Sequence, residues 1–238
     1  MTDTPSPLFR LDQVEVTRGG RHVLGPLDLT IPARGPIVVA GPSGSGKSSL
    51  LRLLNRLDAP TAGCVRFRGD DIASTEPTRH RRRVAMVFQR PVVLAGSVAD
   101  NLHQADATLT AEAMADLMAR VGLDAALLGR EARDLSGGEA QRMCLARSLA
   151  TEPEVVLFDE PTSSLDPASA QRIEQLATSL EQQGITVVWV THDLDQLRRL
   201  AAEIVIIIDG RIAQSGPAAD VLGAPDDEVR AFLEGGAA

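Results

Sequence analysis

The run IVVAGPSGSGKSSLLRLL, residues 37–54, decides the fold. It opens on four apolar, mostly β-branched residues, the mark of a strand buried on both faces. GPSGSGKS follows and matches the phosphate-binding pattern G-x-x-x-x-G-K-[ST]. A leucine-rich helix then begins. The order suits the chemistry. Glycines let successive backbone N–H groups turn inward around phosphate oxygens, and a helix start adds partial positive charge. At average residue usage the four fixed positions match by chance in roughly one chain per hundred, and the flanking strand and helix make chance rarer still. Gly41, Pro42, Ser43, Gly44, Ser45, Gly46, Lys47, Ser48 and Ser49 are therefore candidate nucleotide-binding residues. Lys47 is expected to reach the β- and γ-phosphates, and Ser48 to place its hydroxyl on Mg2+.

Working outward, residues 84–88, 155–158, 186–190 and 204–208 are also short, apolar, β-branched blocks bounded by turn residues. Between the blocks, residues 47–56, 139–150, 167–183 and 194–202 read as helices. Strands alternating with helices predict a parallel α/β sheet. Residues 8–16 and 27–31 alternate more clearly around Gly19-Gly20 and predict an antiparallel hairpin. From Ser97 to Ala150 no strand pattern is found. There Thr110 is the expected N-cap of a helix whose apolar face includes Ala113 and Leu117, and Gly122 its stop. The segment predicts a helical insert. A short strand over 211–215 and small helices complete the chain.

Composition narrows the function classes. The 238 residues are 44% hydrophobic, enough for a substantial core, and the formal net charge of -8 disfavours non-specific nucleic-acid binding. Cys64 and Cys144 lack metal-ligand spacing and disulfide density, and read as thiols in a reducing compartment. MTDTPSPLFR lacks the basic start and apolar stretch of a secretory signal. Apolar runs are strand-sized, whereas a membrane span needs about 20 residues. A soluble protein is expected, with any membrane role coming through a partner.

VVLFDEPTSSLD, residues 155–166, is the second signal: a strand with Asp159 and Glu160 at its C-terminal end, where ligands bind in open α/β sheets. Alone, an Asp-Glu pair is usually a solvated loop. Beside a phosphate loop, Asp159 is expected to hold Mg2+ and Glu160 to orient or deprotonate the attacking water. The third signal is LSGGEAQR, residues 135–142. Two glycines beside Ser136 at a helix start make a second anion site, odd in a chain with one phosphate-loop lysine.

At LSGGE the sequence resembles the ABC ATPases, whose signature motif is LSGGQ-like. Glu139 stands where Gln is the commoner residue. The resemblance implies that Ser136, Gly137, Gly138 and Glu139 of one subunit bind the γ-phosphate held by the phosphate loop of another. It implies that Gln89 contacts Mg2+ and the attacking water, that Asp166, in SSLD, communicates across a dimer, and that His192, in WVTHD, contacts the γ-phosphate. Many members carry a Tyr-Gly pair before the phosphate loop to stack on adenine. This chain has no Tyr, and Arg18, in VTRGG, holds the matching position. A guanidinium plane also stacks on a base, so Arg18 is expected either to be the adenine contact or to be a solvated hairpin charge. Val92 to Leu94 resemble the stretch that receives the membrane partner's coupling helix, and the basic run RHRRR, residues 79–83, is a solvated face or a second docking element. His22, His80 and His103 match nothing and are expected at the surface.

The resemblance covers about residues 8–216. It implies a P-loop NTPase with a RecA-like parallel core, an N-terminal antiparallel β subdomain and an inserted α-helical subdomain. The expected limits are a single domain over 1–238, with an α/β core of about 1–90 and 151–216, a helical subdomain of about 91–150 and short C-terminal helices over 217–238. The implied function is ATP binding and hydrolysis with Mg2+ in a homodimer that drives a separate membrane permease at the inner face of the cell membrane. Two alternatives compete. A non-transport ABC ATPase acting on a soluble partner would usually carry coiled-coil insertions or two fused cassettes. A P-loop kinase or GTPase would leave LSGGE, SSLD and His192 unexplained.

Overall fold

The computed structural model describes residues 7–33 and 35–235. In chain order they form strands β1 (Phe9–Arg18), β2 (Arg21–Ile31) and β3 (Ile37–Ala40), helix α1 (Lys47–Leu54), strands β4 (Ala62–Phe67) and β5 (Asp70–Asp71), helix α2 (Pro77–Arg83) and strand β6 (Val84–Val87). Helices α3 (Val98–His103), α4 (Ala111–Arg120) and α5 (Gly137–Leu149) follow, then β7 (Val155–Asp159), α6 (Pro167–Gln182), β8 (Thr186–Thr191), α7 (Leu194–Leu200), β9 (Glu203–Ile208), β10 (Arg211–Pro217), α8 (Ala218–Gly223) and α9 (Asp227–Leu233). The chain divides into two compact units. The first holds the described residues up to Arg81 and from Thr186 onward, and the second Arg82–Ile185.

The first unit contains two sheets. One is antiparallel, in the order β2-β1-β4-β5. Its hairpin turns at Gly19 and Gly20, with φ of 54 and 75, the left-handed pair that a tight hairpin turn needs. In the other, β3 lies between parallel neighbours β8 and β9, and β10 adds antiparallel to β9. All four β3 residues are buried, as are all six of β8. Both faces are covered, so these runs are continuous rather than alternating. Each such Val or Ile contributes about 1.5–3 kcal/mol of burial.

The basic run was expected on the surface, but it forms α2 and turns one residue inward. His80 is 1% exposed. Its Nε2–H donates to the Leu54 carbonyl at 2.8 Å, and its ring meets Phe67 edge-on at 5.6 Å. The bond satisfies the buried ring nitrogen, and the imidazole closes a cluster with Phe9 and Phe67, whose centroids are 4.9 Å apart. The surrounding arginines hid this from a composition-based reading.

In the second unit β6 and β7 pair in parallel, Val87 opposite Phe158. Between them lie α3, α4 and α5, and the segment has no strand, as its sequence suggested. Thr110 caps α4 by accepting from Ala113 N at 3.2 Å, and Gly122 follows its end with φ 67. Ser97 and Asp100 form a capping box on α3. None of the helices among the described residues is long and apolar enough to cross a membrane.

Candidate functional site

In the first unit, strand register sets the site. Ala40 pairs with Thr191 on one side and Ile206 on the other, so Gly41 and His192 leave the C-terminal edge of neighbouring parallel strands. That edge is where open α/β sheets hold ligands. Gly41 is needed because a Cβ there would lie 1.9 Å from the Ile207 carbonyl oxygen. Gly46, with φ 105, is the N-cap of α1, and a Cβ on it would lie 2.4 Å from Leu24 Cδ2. Pro42, Ser43 and Gly44 form the outer part of the loop, while Ser48 and Ser49 sit in the first turn of α1.

Lys47 is 5% exposed, and its ammonium donates to the Gly41 carbonyl at 2.9 Å and the Pro42 carbonyl at 2.8 Å. The cation therefore curls back onto the backbone of its own loop. Ser45 Oγ is buried and has no hydrogen-bond partner in the described structure. A buried polar atom of this kind is costly unless something is bound. The structure thus has a glycine-shaped loop, an ammonium and an orphaned hydroxyl at a helix start.

His192 is exposed, but the turn carrying it is braced. Thr191 Oγ1 donates to Gln196 Oε1 at 2.8 Å and accepts from Asp193 N at 2.9 Å, and Asp193 caps α7. Arg18, at the end of β1, is exposed, and its guanidinium donates to Asp58.

In the second unit the register of β6 and β7 brings Gln89 and Glu160 out side by side. The Gln89 amide donates to Ser163 Oγ at 3.1 Å and more weakly to Glu160 Oε2 at 3.5 Å. Asp159 closes β7, and Glu160 follows with φ 45, a left-handed backbone uncommon outside glycine. Gln141, on α5, donates to the Phe88 carbonyl at 2.9 Å and so anchors the residue before Gln89. Nothing in the sequence marked Gln141 beyond its place in LSGGEAQR.

The signature turn is a capping box. Ser136 Oγ accepts from Glu139 N at 3.3 Å, while Glu139 Oε2 accepts from Ser136 N at 2.9 Å and from Ser136 Oγ at 2.7 Å. The bonds to Ser136 hold the Glu139 carboxyl below its ordinary value. The box also accounts for the departure from Gln, because either side chain closes it. A Cβ on Gly138 would lie 2.7 Å from Ser169 Oγ, so the glycine lets α6 approach. Asp166 caps α6, accepting from Ala168 N and Ser169 N at 3.0 Å each. Below the turn, Arg142 is 6% exposed, and its Nε and Nη1 find no hydrogen-bond partner among the described residues. Burial, and then Arg172, pull its affinity for its proton down. A buried cation beneath a helix start strengthens the positive field of the exposed turn.

Val92 and Leu94 are 49% and 38% exposed, the large hydrophobic side chains that stand out from the described surface. Their loop is held from behind: Arg147 donates to the Val92 carbonyl at 2.8 Å, and Asn101 exchanges bonds of 3.0 Å with Leu94 N and O.

A glycine loop on a strand–helix junction, two carboxylates ending a second parallel strand and a histidine ending a third define a P-loop nucleoside triphosphatase. The description "ABC transporter" matches residues 24–163. ABC transporter I family member 17 of Arabidopsis thaliana is 39% identical over 229 residues, covering 94% of this chain and 87% of that protein. Methionine import ATP-binding protein MetN of Caulobacter vibrioides is 38% identical over 228 residues, covering 91% and 68%. The structure of cbiO1 from Clostridium perfringens, described as part of the ABC transporter complex cbiONQ, superposes with a TM-score of 0.81 at 23% identity over 96% of this chain and 95% of that one. The chain belongs to the ABC transporter family as an ATP-binding subunit, an ATPase of the class coupled to transport.

Proposed function

We propose that two copies of the chain close around two ATP molecules and drive a separate integral membrane permease, with the protein held at the inner face of the membrane through that partner. The observation that carries this is the capped, glycine-started turn of α5. It is a second anion site in a chain whose Lys47 serves one phosphate loop, and a second copy gives it a ligand. Each ATP would lie between Gly41–Ser49 of one copy and Ser136–Glu139 of the other. The braced, exposed Val92–Leu94 loop supports a docking role for the permease.

The donors fit Mg2+. Ser48, Gln89 and Asp159 offer hydroxyl, amide and carboxylate oxygens, the hard ligands this ion takes. Among the described residues no three His, Cys, Asp or Glu gather into a metal site of their own. When bound, the ion supplies neutralisation of charge on the β- and γ-phosphates. The Glu160 carboxylate, oriented by Gln89, accepts the proton of the attacking water. The water oxygen bonds to the γ-phosphorus in line with the departing bridge oxygen, and ADP and phosphate form. Lys47 and His192 hold the γ-phosphoryl oxygens. Arg18 lies under the adenine ring.

The test is co-purification of the tagged chain from detergent-solubilised membranes. Recovery of one multi-span membrane protein is the expected result. Recovery of soluble partners alone would leave the ATPase standing and remove the transport role.

A further inference from the structure

The adenine position carries an arrangement that an aromatic platform would not need. Arg18 ends β1 and pairs across the hairpin turn with Arg21. Three residues further on, Leu24 lies against Gly46, the N-cap of the phosphate-loop helix. The hairpin tip therefore stands beside the phosphate loop within the first unit. There the Arg18 Nη2 donates to Asp58 Oδ2. The same carboxylate also accepts from Arg52, on α1, whose Nε donates to Oδ2 at 2.7 Å and Nη2 to Oδ1 at 3.3 Å. Asp58 N in turn donates to the Arg52 carbonyl at 3.0 Å. The Asp58 side chain is 21% exposed and that of Arg18 49%. One carboxylate thus fixes two cations, one on the phosphate-loop helix and one on the hairpin tip.

We propose that Asp58, locked by Arg52, is a positioning residue that holds the Arg18 guanidinium as a flat platform for the adenine ring. The role rests on the assignment of Arg18 to the adenine. Arginine reaches the base through a long, rotamer-rich stem, whereas a tyrosine ring has two torsions to fix. A base stacks well on a guanidinium whose plane is already set, because less freedom is lost on binding. The second ion pair also ties the base platform to the helix that cradles the phosphates, so both ends of the nucleotide would meet one compact unit. Two arginines on one carboxylate leave a net positive charge, which favours the electron-rich face of a purine. Strong binding of the carboxylate by both guanidinium groups agrees with the geometry: Arg52 first, then Arg18, hold the Asp58 carboxyl below its ordinary value.

The test compares ADP with inorganic pyrophosphate, which lacks the base, by titration calorimetry on the full chain. The proteins are the unmutated chain, Arg18→Ala, Asp58→Asn and the double variant. Loss of one stacking contact is expected to weaken ADP binding roughly tenfold in Arg18→Ala and to leave pyrophosphate unchanged. Asp58→Asn is expected to weaken ADP several-fold in the same way, again sparing pyrophosphate, and the double variant to match Arg18→Ala. Unchanged pyrophosphate affinity also reports an intact phosphate loop. If Asp58→Asn does not fold, Asp58→Glu, which keeps the charge and displaces the carboxylate, is judged by the same pattern. Weakened ADP binding in Arg18→Ala with none in Asp58→Asn overturns the positioning role alone. An Asp58→Asn loss shared by ADP and pyrophosphate also overturns it, since the residue then serves the phosphate loop. No loss in Arg18→Ala overturns the adenine assignment beneath it.

Discussion

Replacing Gly41 by Ala tests whether the phosphate loop is shaped by the neighbouring strand. A Cβ at this position would stand 1.9 Å from the Ile207 carbonyl oxygen, 3.0 Å from its carbon and 2.9 Å from Ser45 Oγ. The first two belong to the backbone of β9, which is in register with β3 through the Ala40–Ile206 pair and cannot recede without breaking the ladder. Gly44 is the control. It too has a left-handed φ, 78, yet no atom lies within 4 Å of its Cβ position. The positive-φ backbone costs each alanine about 1–3 kcal/mol, and overpacking costs Gly41→Ala about 1–3 kcal/mol more. With a urea dependence of about 3 kcal/mol per molar, that excess separates the two midpoints by roughly 0.3–1 M. The single tryptophan, Trp189, is buried on β8 opposite Val38, so its fluorescence reports unfolding beside the site. Coincident midpoints for Gly41→Ala and Gly44→Ala would refute the steric argument.

Other expectations follow from the same geometry. Ser136→Ala removes the cap of α5 and should cost about 1 kcal/mol of stability, with a loss of ATPase activity that Ser136→Thr largely restores. The carboxyls of Glu139 and Asp166 are held below their ordinary values of 4.5 and 3.8, chiefly by the hydroxyls of Ser136 and Ser169. The unfolded chain therefore takes up protons first as pH falls. Their stabilisation is present above the ordinary carboxylate range and is lost as pH drops through the depressed folded values. Denaturant midpoints should fall on that acid side, and fall less in Glu139→Gln. Burial pushes the Cys144 thiol up, offset in part by Arg147, whereas Cys64 is half-buried. A thiol reagent should label Cys64 first, and equal rates for the two would contradict the packing.

The sequence showed most clearly those parts whose physics is local. Strands β3, β7, β8 and β9 were legible to within a residue or two because both faces are buried and the apolar runs are unbroken. The strand–loop–helix order of residues 37–54 was legible because a glycine loop that turns a strand into a helix is a local arrangement. Strand β4, Ala62–Phe67, was not, because AGCVRF holds little β-branched sequence and is a strand through its pairing with β1. His80 was misplaced for a related reason: its partners, Leu54 and Phe67, come from elsewhere in the chain. The Arg18–Asp58 pair joins residues 40 apart, and the Gln89–Glu160 contact residues 71 apart. The capping box shows the reverse case, where S-x-x-E already explains why Glu139 can stand in place of Gln.

The most direct test of a triphosphatase completed by a second copy is the mass of Glu160→Gln by light scattering, with and without Mg-ATP. The substitution removes the carboxylate proposed as proton acceptor and leaves Lys47, Ser48 and the signature turn in place. The account predicts monomers alone and with ADP, and a doubled mass with ATP. A monomer at saturating ATP would contradict it.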